Sequence, residues 1–140
     1  MLKERVFEKI KEIEENLALI SDNLPDNARE FRELKLVKDG IYKRLEYCIE
    51  NLIDICSMIY ADLELGVPSD DEDILNKLKD NKIFSKEIIN LIKDMKGLRN
   101  ILVHKYGNID DDLVYELLAE NLSDFDKIIK EITGYFNKEK

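Results

Sequence analysis

Apolar side chains recur along the first part of the chain at the spacing of an α-helix. Their positions are Val6, Ile10, Ile13, Leu17, Ile20 and Leu24. These residues step by four and three positions, so they form one stripe, and Glu and Lys occupy most of the opposite face. The Pro25-Asp26-Asn27 segment interrupts the pattern. The spacing therefore predicts one amphipathic helix at the start of the chain.

A wider apolar stripe predicts a long second helix over about 28–63. Its apolar positions are Leu34, Val37, Ile41, Leu45, Cys48 or Ile49, Leu52, Cys56, Ile59 and Leu63, with Tyr42, Ile53, Ile55 and Tyr60 beside them. Because the apolar face is wide, we expect this helix to contact neighbours on more than one side. Gly40 lies inside the helix and weakens it locally.

Three further helices are predicted over about 71–80, 86–106 and 111–136. Ser85 is the expected N-cap of the fourth helix, and acidic residues open the third and the fifth. No segment alternates with period two for long, and no repeat or linker divides the chain. We therefore predict a single helical domain over residues 1–140, an all-α, up-and-down bundle of four to five helices.

The composition restricts the possible partners. The chain of 140 residues has a formal net charge of −9, which argues against broad electrostatic binding to nucleic acid or to an acidic membrane. Any RNA contact must therefore be local, and no DNA partner is expected. No apolar run approaches the ~20 residues of a membrane span, and the first residues lack the apolar region of a secretory signal. We expect a cytoplasmic protein without membrane contact.

The rare residues limit the chemistry further. Cys48 and Cys56 lie eight residues apart on one predicted helix, a separation of roughly 12 Å that excludes a disulfide. His104 is the single histidine, and no zinc-ligand spacing, nucleophile elbow or phosphate-binding glycine loop is present. We therefore predict no metal and no cofactor. Acid–base chemistry by an imidazole would have to use His104.

Polar side chains gather at the end of the predicted fourth helix. On a helical wheel, Arg99 lies at 0°, Asn100 near about 100° and His104 near about 140°. The core stripe lies between about 260° and 340° on this wheel and comprises Ile88, Leu91, Met95, Leu98 and Leu102. Asn100 and His104 therefore lie almost opposite the core, and Tyr106 lies on its flank. Residues 93–105 also carry a surplus of three positive charges, with Lys93 and Lys96 on the polar face.

These side chains suit phosphodiester cleavage without a metal. Imidazole titrates near neutrality and can move protons, and guanidinium is a bidentate phosphate ligand. The same residues are also ordinary on a helix surface: a lone His is most often idle, an Arg extends its stem over apolar neighbours, and a Tyr packs with its hydroxyl in water. From spacing alone, this structural interpretation outweighs the catalytic one.

The same residues resemble the signature of a known superfamily. Arg99 and Asn100 followed by His104 are similar to the HEPN motif, and with Tyr106 they match the Arg-Asn-x-x-x-His-x-Tyr pattern of HepT-type toxins. The resemblance covers nearly the whole chain, including its length and the long second helix. It implies a metal-independent endoribonuclease that cleaves tRNA or mRNA as a symmetric homodimer. Arg99 and His104 of both protomers would line one cleft.

The resemblance also implies roles and a regulatory partner. Arg99 would bind the scissile phosphate, His104 would act as general acid or base, and Asn100 would orient His104 or the phosphate. HepT toxins pair with an MntA-type nucleotidyltransferase antitoxin, which would transfer AMP to Tyr106. The added phosphodiester charge and nucleoside would then exclude RNA.

Two other functional classes remain open at this point. Some HEPN domains accompany nucleotidyltransferases and hold a nucleotide or substrate without cutting RNA. The wide apolar stripe of the second helix is also compatible with a plain dimeric helical scaffold. The intact motif, Tyr106 included, favours the ribonuclease toxin over both.

Overall fold

A computed structural model describes residues 1–104 and 108–138 and shows seven α-helices in this part of the chain. They are α1 (Leu2–Asn23), α2 (Ala28–Arg32), α3 (Leu36–Asp62), α4 (Asp71–Asp80), α5 (Lys86–His104), α6 (Asp111–Asn121) and α7 (Asp124–Lys138). No strand occurs within the described ranges, which confirms the all-α class. No helix there has both the length and the apolarity needed to cross a membrane.

The long helix α3 lies at the centre of the core. It packs most extensively along α1 and also contacts α4 and α5, so the expectation of contact on several sides is confirmed. Cys48 and Cys56 are both buried and free, as their spacing predicted. Burial raises the pKa of each thiol to about 12, because the thiolate would lose its hydration.

The predicted second helix, over 28–63, is wrong as a continuous element. The structure divides it into α2 and α3, and Lys35 between them has a φ of 53°, a left-handed conformation that a right-handed helix cannot contain. Asn27 caps α2 by accepting a hydrogen bond from the Glu30 amide at 2.9 Å. The change of direction lets Phe31 become completely buried, with its ring 5.8 Å from that of Tyr42.

The predicted fifth helix, over 111–136, is also divided. α6 ends at Asn121 and α7 begins at Asp124. Two backbone hydrogen bonds between residues three apart cross the break, from the Phe125 amide to the Leu122 carbonyl and from the Asp126 amide to the Ser123 carbonyl. The two pieces pack on different partners, since α6 contacts α2 whereas α7 contacts α5. The expected count of four to five helices is exceeded because two of the predicted helices are each broken.

The helix that carries the motif begins as predicted. The Ser85 hydroxyl accepts a hydrogen bond from the Ile88 amide at 3.3 Å, and Glu131 of α7 accepts two more from Ser85. Ile89 and Ile92 are buried although they lie outside the predicted core stripe. The reason is that α3, α4 and α7 all contact α5, so its apolar face is wider than one stripe.

Candidate functional site

The last turns of α5 carry three of the four predicted site residues. Asn100 and His104 are exposed, in agreement with their position opposite the core on the helical wheel. Arg99 is more sheltered, with 19% of its side chain exposed. Tyr106 lies outside the described residues. The structure thus presents an amide and an imidazole to solvent and holds the guanidinium at their side.

The contacts of Arg99 involve two neighbours. Its Nη2 donates a hydrogen bond to Asn100 Oδ1 at 3.2 Å and lies 3.9 Å from Asp71 Oδ2 at the start of α4. Asn100 therefore contacts Arg99 in this structure and makes no hydrogen bond to His104. The imidazole of His104 has no hydrogen-bond partner within residues 1–104 and 108–138, so it is accessible to a substrate.

The two lysines of the predicted basic cluster face α4. Lys93 Nζ and Lys96 Nζ each lie 3.5 Å from a carboxylate oxygen of Glu72, and Lys93 also donates to Asn76 Oδ1 at 2.6 Å. The predicted local surplus of positive charge is therefore largely matched by carboxylates of α4. The sequence signal for this pairing is the acidic stretch that opens the predicted third helix. From the sequence alone, that stretch is explained by the favourable interaction of carboxylates with the helix dipole.

A second polar cluster anchors the beginning of α6. Asp111 accepts hydrogen bonds from Lys38 Nζ at 2.8 Å and from the Tyr42 hydroxyl. Burial alone would raise the pKa of Asp111, but these two donors more than offset that effect and hold the pKa below its usual value. Burial, together with the carboxylate of Asp111, raises the pKa of Tyr42. Sequence reasoning had placed Tyr42 only on an apolar stripe and assigned no pairing to Lys38 or Asp111.

Two cavities adjoin α5, and they differ in character. A surface groove of about 490 Å³ lies beside its last turn and is lined by Asp39, Tyr42, Lys43, Glu46, Leu102 and Val103. A smaller cavity of about 230 Å³ lies between α3, α5, α6 and the start of α7 and has mainly apolar walls, with leucine the most frequent lining residue. The larger groove offers open space next to the exposed end of α5, whereas the leucine-lined cavity holds few groups suited to acid–base chemistry.

The arrangement at the end of α5 can bind an anion and transfer a proton. A guanidinium can donate two parallel hydrogen bonds to a phosphate, and an accessible imidazole can accept or release a proton. Within the described ranges, no three His, Cys, Asp or Glu side chains are arranged to hold a metal ion.

An all-α chain with an Arg-Asn-x-x-x-His segment at the end of a core helix, and with the Asn and His of that segment exposed, is typical of the HEPN class. The family model described as "Ribonuclease HepT-like" matches residues 13–132, and the chain belongs to this family. The resemblance stated from the motif is therefore confirmed, and with it the assignment to a family of ribonuclease toxins.

Individual relatives match the chain over most of their own length, in agreement with the family assignment. The chain is 29% identical over 124 residues to the mRNA nuclease HepT of Shewanella oneidensis, covering 89% of this chain and 92% of that one. It is 31% identical over 138 residues to a protein of Archaeoglobus fulgidus, covering 99% and 98%. A solved structure of the tri-AMPylated Shewanella oneidensis HEPN toxin in complex with its MNT antitoxin superposes with a TM-score of 0.82, at 28% identity, covering 92% of this chain and 96% of that one.

Proposed function

We propose that this protein is the toxin of a toxin–antitoxin pair and that it cleaves RNA through Arg99 and His104 without a metal ion. The observation that carries the proposal is the end of α5, where an accessible imidazole and a sheltered guanidinium lie within two turns of one helix. The HepT-like family match supports the same activity. tRNA and mRNA are the candidate substrates.

In the proposed reaction, Arg99 binds the scissile phosphate and stabilises the charge that grows on it in the transition state. The ribose 2′-hydroxyl loses its proton and its oxygen attacks phosphorus. The bond from phosphorus to the 5′-oxygen breaks, and that oxygen leaves with a proton. His104 is the group that takes up or supplies a proton. Asn100, which accepts a hydrogen bond from Arg99, helps to orient the guanidinium.

A symmetric homodimer is part of this proposal, since the resemblance to HepT toxins implies a cleft shared by two chains, and a dimer also suits the proton balance of the reaction. One proton must be removed and another supplied, yet each chain contains a single histidine. Two chains that bring their α5 ends to one cleft would supply a base and an acid, both from His104. Light scattering should give about twice the chain mass of 16.5 kDa. A monomer that cleaves RNA at full rate would contradict the composite site.

The proposed antitoxin is an MntA-type nucleotidyltransferase that adds AMP to Tyr106. The motif puts Tyr106 seven residues after Arg99 and two residues after His104 in the sequence. Each AMP would bring a negative phosphodiester and a bulky nucleoside to the end of α5, where they would repel and block RNA. On coexpression with the cognate transferase, mass spectrometry should detect AMP on the wild type and none on Tyr106→Phe. AMP on Tyr106→Phe would mean a different acceptor.

The decisive test of the ribonuclease is paired expression of the wild type and His104→Ala in cells, with total RNA analysed after induction. We expect the wild type to arrest growth and to leave shortened RNA, and the variant to do neither. The RNA that disappears would identify the substrate. A fully toxic His104→Ala protein would contradict the catalytic role of the imidazole.

If both proteins are harmless, the state of Tyr106 decides between the remaining explanations. AMP bound to Tyr106 would indicate a toxin that is already silenced. An unmodified and inert protein that still binds ATP would favour the alternative, a HEPN module that holds a nucleotide for its transferase. Tolerance of every substitution at Arg99 and His104 would favour a plain dimeric scaffold.

A further inference from the structure

A series of charged contacts joins the first turn of α4 to the second half of α5. Glu72 lies 3.5 Å from both Lys93 Nζ and Lys96 Nζ, and Asp71 Oδ2 lies 3.9 Å from Arg99 Nη2. The three cations are spaced three residues apart, so they follow one line along the helix. Arg99 is the last of them and the one nearest to the exposed turn that carries His104.

The first turn of α4 is a fixed support for these carboxylates. Asp70 caps the helix by accepting a hydrogen bond from the Asp73 amide at 2.8 Å, and α4 buries Ile74 and Leu78 in the core. A helix start also favours negative charge, because its backbone amides point towards it. Asp71 is therefore a carboxylate on a rigid element and not a side chain on a loop.

The guanidinium of Arg99 is engaged through one nitrogen only. The contacts with Asp71 and Asn100 both involve Nη2, and neither Nη1 nor Nε has a hydrogen-bond partner in the part of the chain that the structure describes. A phosphate bound in bidentate fashion needs two parallel N–H groups. A guanidinium has two such pairs, Nε with Nη2 and Nη1 with Nη2, and Nη2 carries one hydrogen on each of these edges. While one Nη2 hydrogen is donated to Asn100, the edge that carries the other hydrogen stays available to a phosphate.

We propose that Asp71 is a positioning residue for Arg99: its carboxylate restricts the guanidinium so that the edge of parallel N–H groups not used by Asn100 is presented to an RNA phosphate. This inference rests on the proposed function of Arg99. An Arg side chain has many rotamers, and restricting them before the substrate arrives lowers the cost of reaching the transition state. The negative charge of Asp71 also repels RNA in the ground state, so its effects on kcat and KM are opposed.

The test is the kinetics of Asp71→Asn with an RNA that the wild type cleaves. We expect kcat to fall on the order of tenfold, because a loosely held guanidinium seldom has the productive geometry. KM should stay the same or fall, because a charge that repels the phosphates has been removed. Asp71→Glu keeps the carboxylate and should retain kcat to within about threefold.

Glu72→Gln is the matched control, since it removes one negative charge from the same turn but has no contact with Arg99. Its kcat should equal that of the wild type. An unchanged or increased kcat in Asp71→Asn would overturn the proposal. An equal loss in Glu72→Gln would overturn it as well, because the effect would then come from the charge of α4 in general.

A second measurement separates this inference from the proposed ribonuclease activity. The Arg99 Nε–H group can be followed by ¹⁵N relaxation in the folded protein without RNA, with Arg99→Lys used to assign its signal. We expect Arg99 to be ordered in the wild type and in Glu72→Gln, and mobile in Asp71→Asn. Equal mobility in all three proteins would overturn the positioning role even if RNA is cleaved. If no RNA is cleaved but this difference is observed, the ribonuclease proposal fails and Asp71 still positions Arg99.

Discussion

The end of α5 and the start of α6 use their polar side chains in opposite ways. At the end of α5, Asn100 and His104 are exposed, and the imidazole has no partner among the described residues. At the start of α6, Asp110 caps the helix, Asp111 binds Lys38 and Tyr42, and the Tyr115 hydroxyl donates to the carbonyl of Pro25 at 2.6 Å. One turn presents its polar groups to solvent, whereas the other uses them to bind the rest of the fold.

This difference separates activity from stability along a short stretch of sequence. Polar groups without partners contribute little to folding, so they are available for a substrate and can be exchanged at low cost. Polar groups that are satisfied and partly buried hold α6 against α2 and α3, and their loss leaves a neighbour unpaired. The anchored turn therefore fixes the start of α6 against α2 and α3.

The largest expected effect is on activity, at the exposed turn. His104→Ala should reduce RNA cleavage by about 10²-fold or more, because a general acid or base is lost. The free energy of unfolding should change by less than ~0.5 kcal/mol, since the side chain is exposed and has no partner among the residues that the structure describes. Cleavage assays and urea titrations check the two parts. A variant that loses both activity and stability would remove the distinction between the two turns.

Among the side chains that hold α2 and α6 in place, Phe31→Ala should have the largest effect on the free energy of unfolding. The Phe31 ring is completely buried, with its centroid 5.8 Å from that of Tyr42 and 5.5 Å from that of Tyr115. Removing it should cost about 3–5 kcal/mol of unfolding free energy through lost burial and the cavity left behind. Chemical denaturation measures this cost. A loss below ~1 kcal/mol would mean that α2 is not part of the cooperative core.

A smaller loss is expected for Asp111→Asn, on the order of 1–2 kcal/mol at neutral pH, because two donors lose a charged acceptor. The pKa of Asp111 is lowered on folding, so its contribution is present above the unfolded value and disappears as the pH falls through the folded value. The stability curves of the wild type and Asp111→Asn should therefore converge below about pH 4. Curves that stay parallel down to pH 2 would contradict the role of the Asp111 charge.

The smallest effect is expected for Asp112→Asn, which is the matched control on the same turn. Asp112 pairs with Arg32, but 58% and 46% of the two side chains are exposed. Exposed pairs of this kind contribute about 0–1 kcal/mol, so the urea midpoint should hardly move. If Asp112→Asn and Asp111→Asn lower the free energy of unfolding by the same amount, burial does not explain the difference between the two contacts.

The sequence was sufficient for the elements that depend on local signals. The stripe of α1, the Ser85 cap of α5 and the outward position of Asn100 and His104 all follow from helical periodicity and capping chemistry. The motif, together with its place at the end of the fourth predicted helix and the length of the chain, indicated the family. Each of these features depends on residues within a few turns of one another, so no knowledge of the distant chain was required.

Only the tertiary structure decided the rest, because the remaining contacts join residues far apart in the chain. The apolar periodicity continues through Lys35 and Leu122, but the helices break at both positions, and the two short pieces α2 and α6 pack on each other. In the sequence, Lys93 and Lys96 have the pattern of a solvated basic face. In the structure, Glu72 of α4 lies beside both of them. Asp71 is 28 residues from Arg99 in sequence and 3.9 Å away in space. Helical spacing records which side chains share a face, and the packing of the helices determines which charges meet across faces.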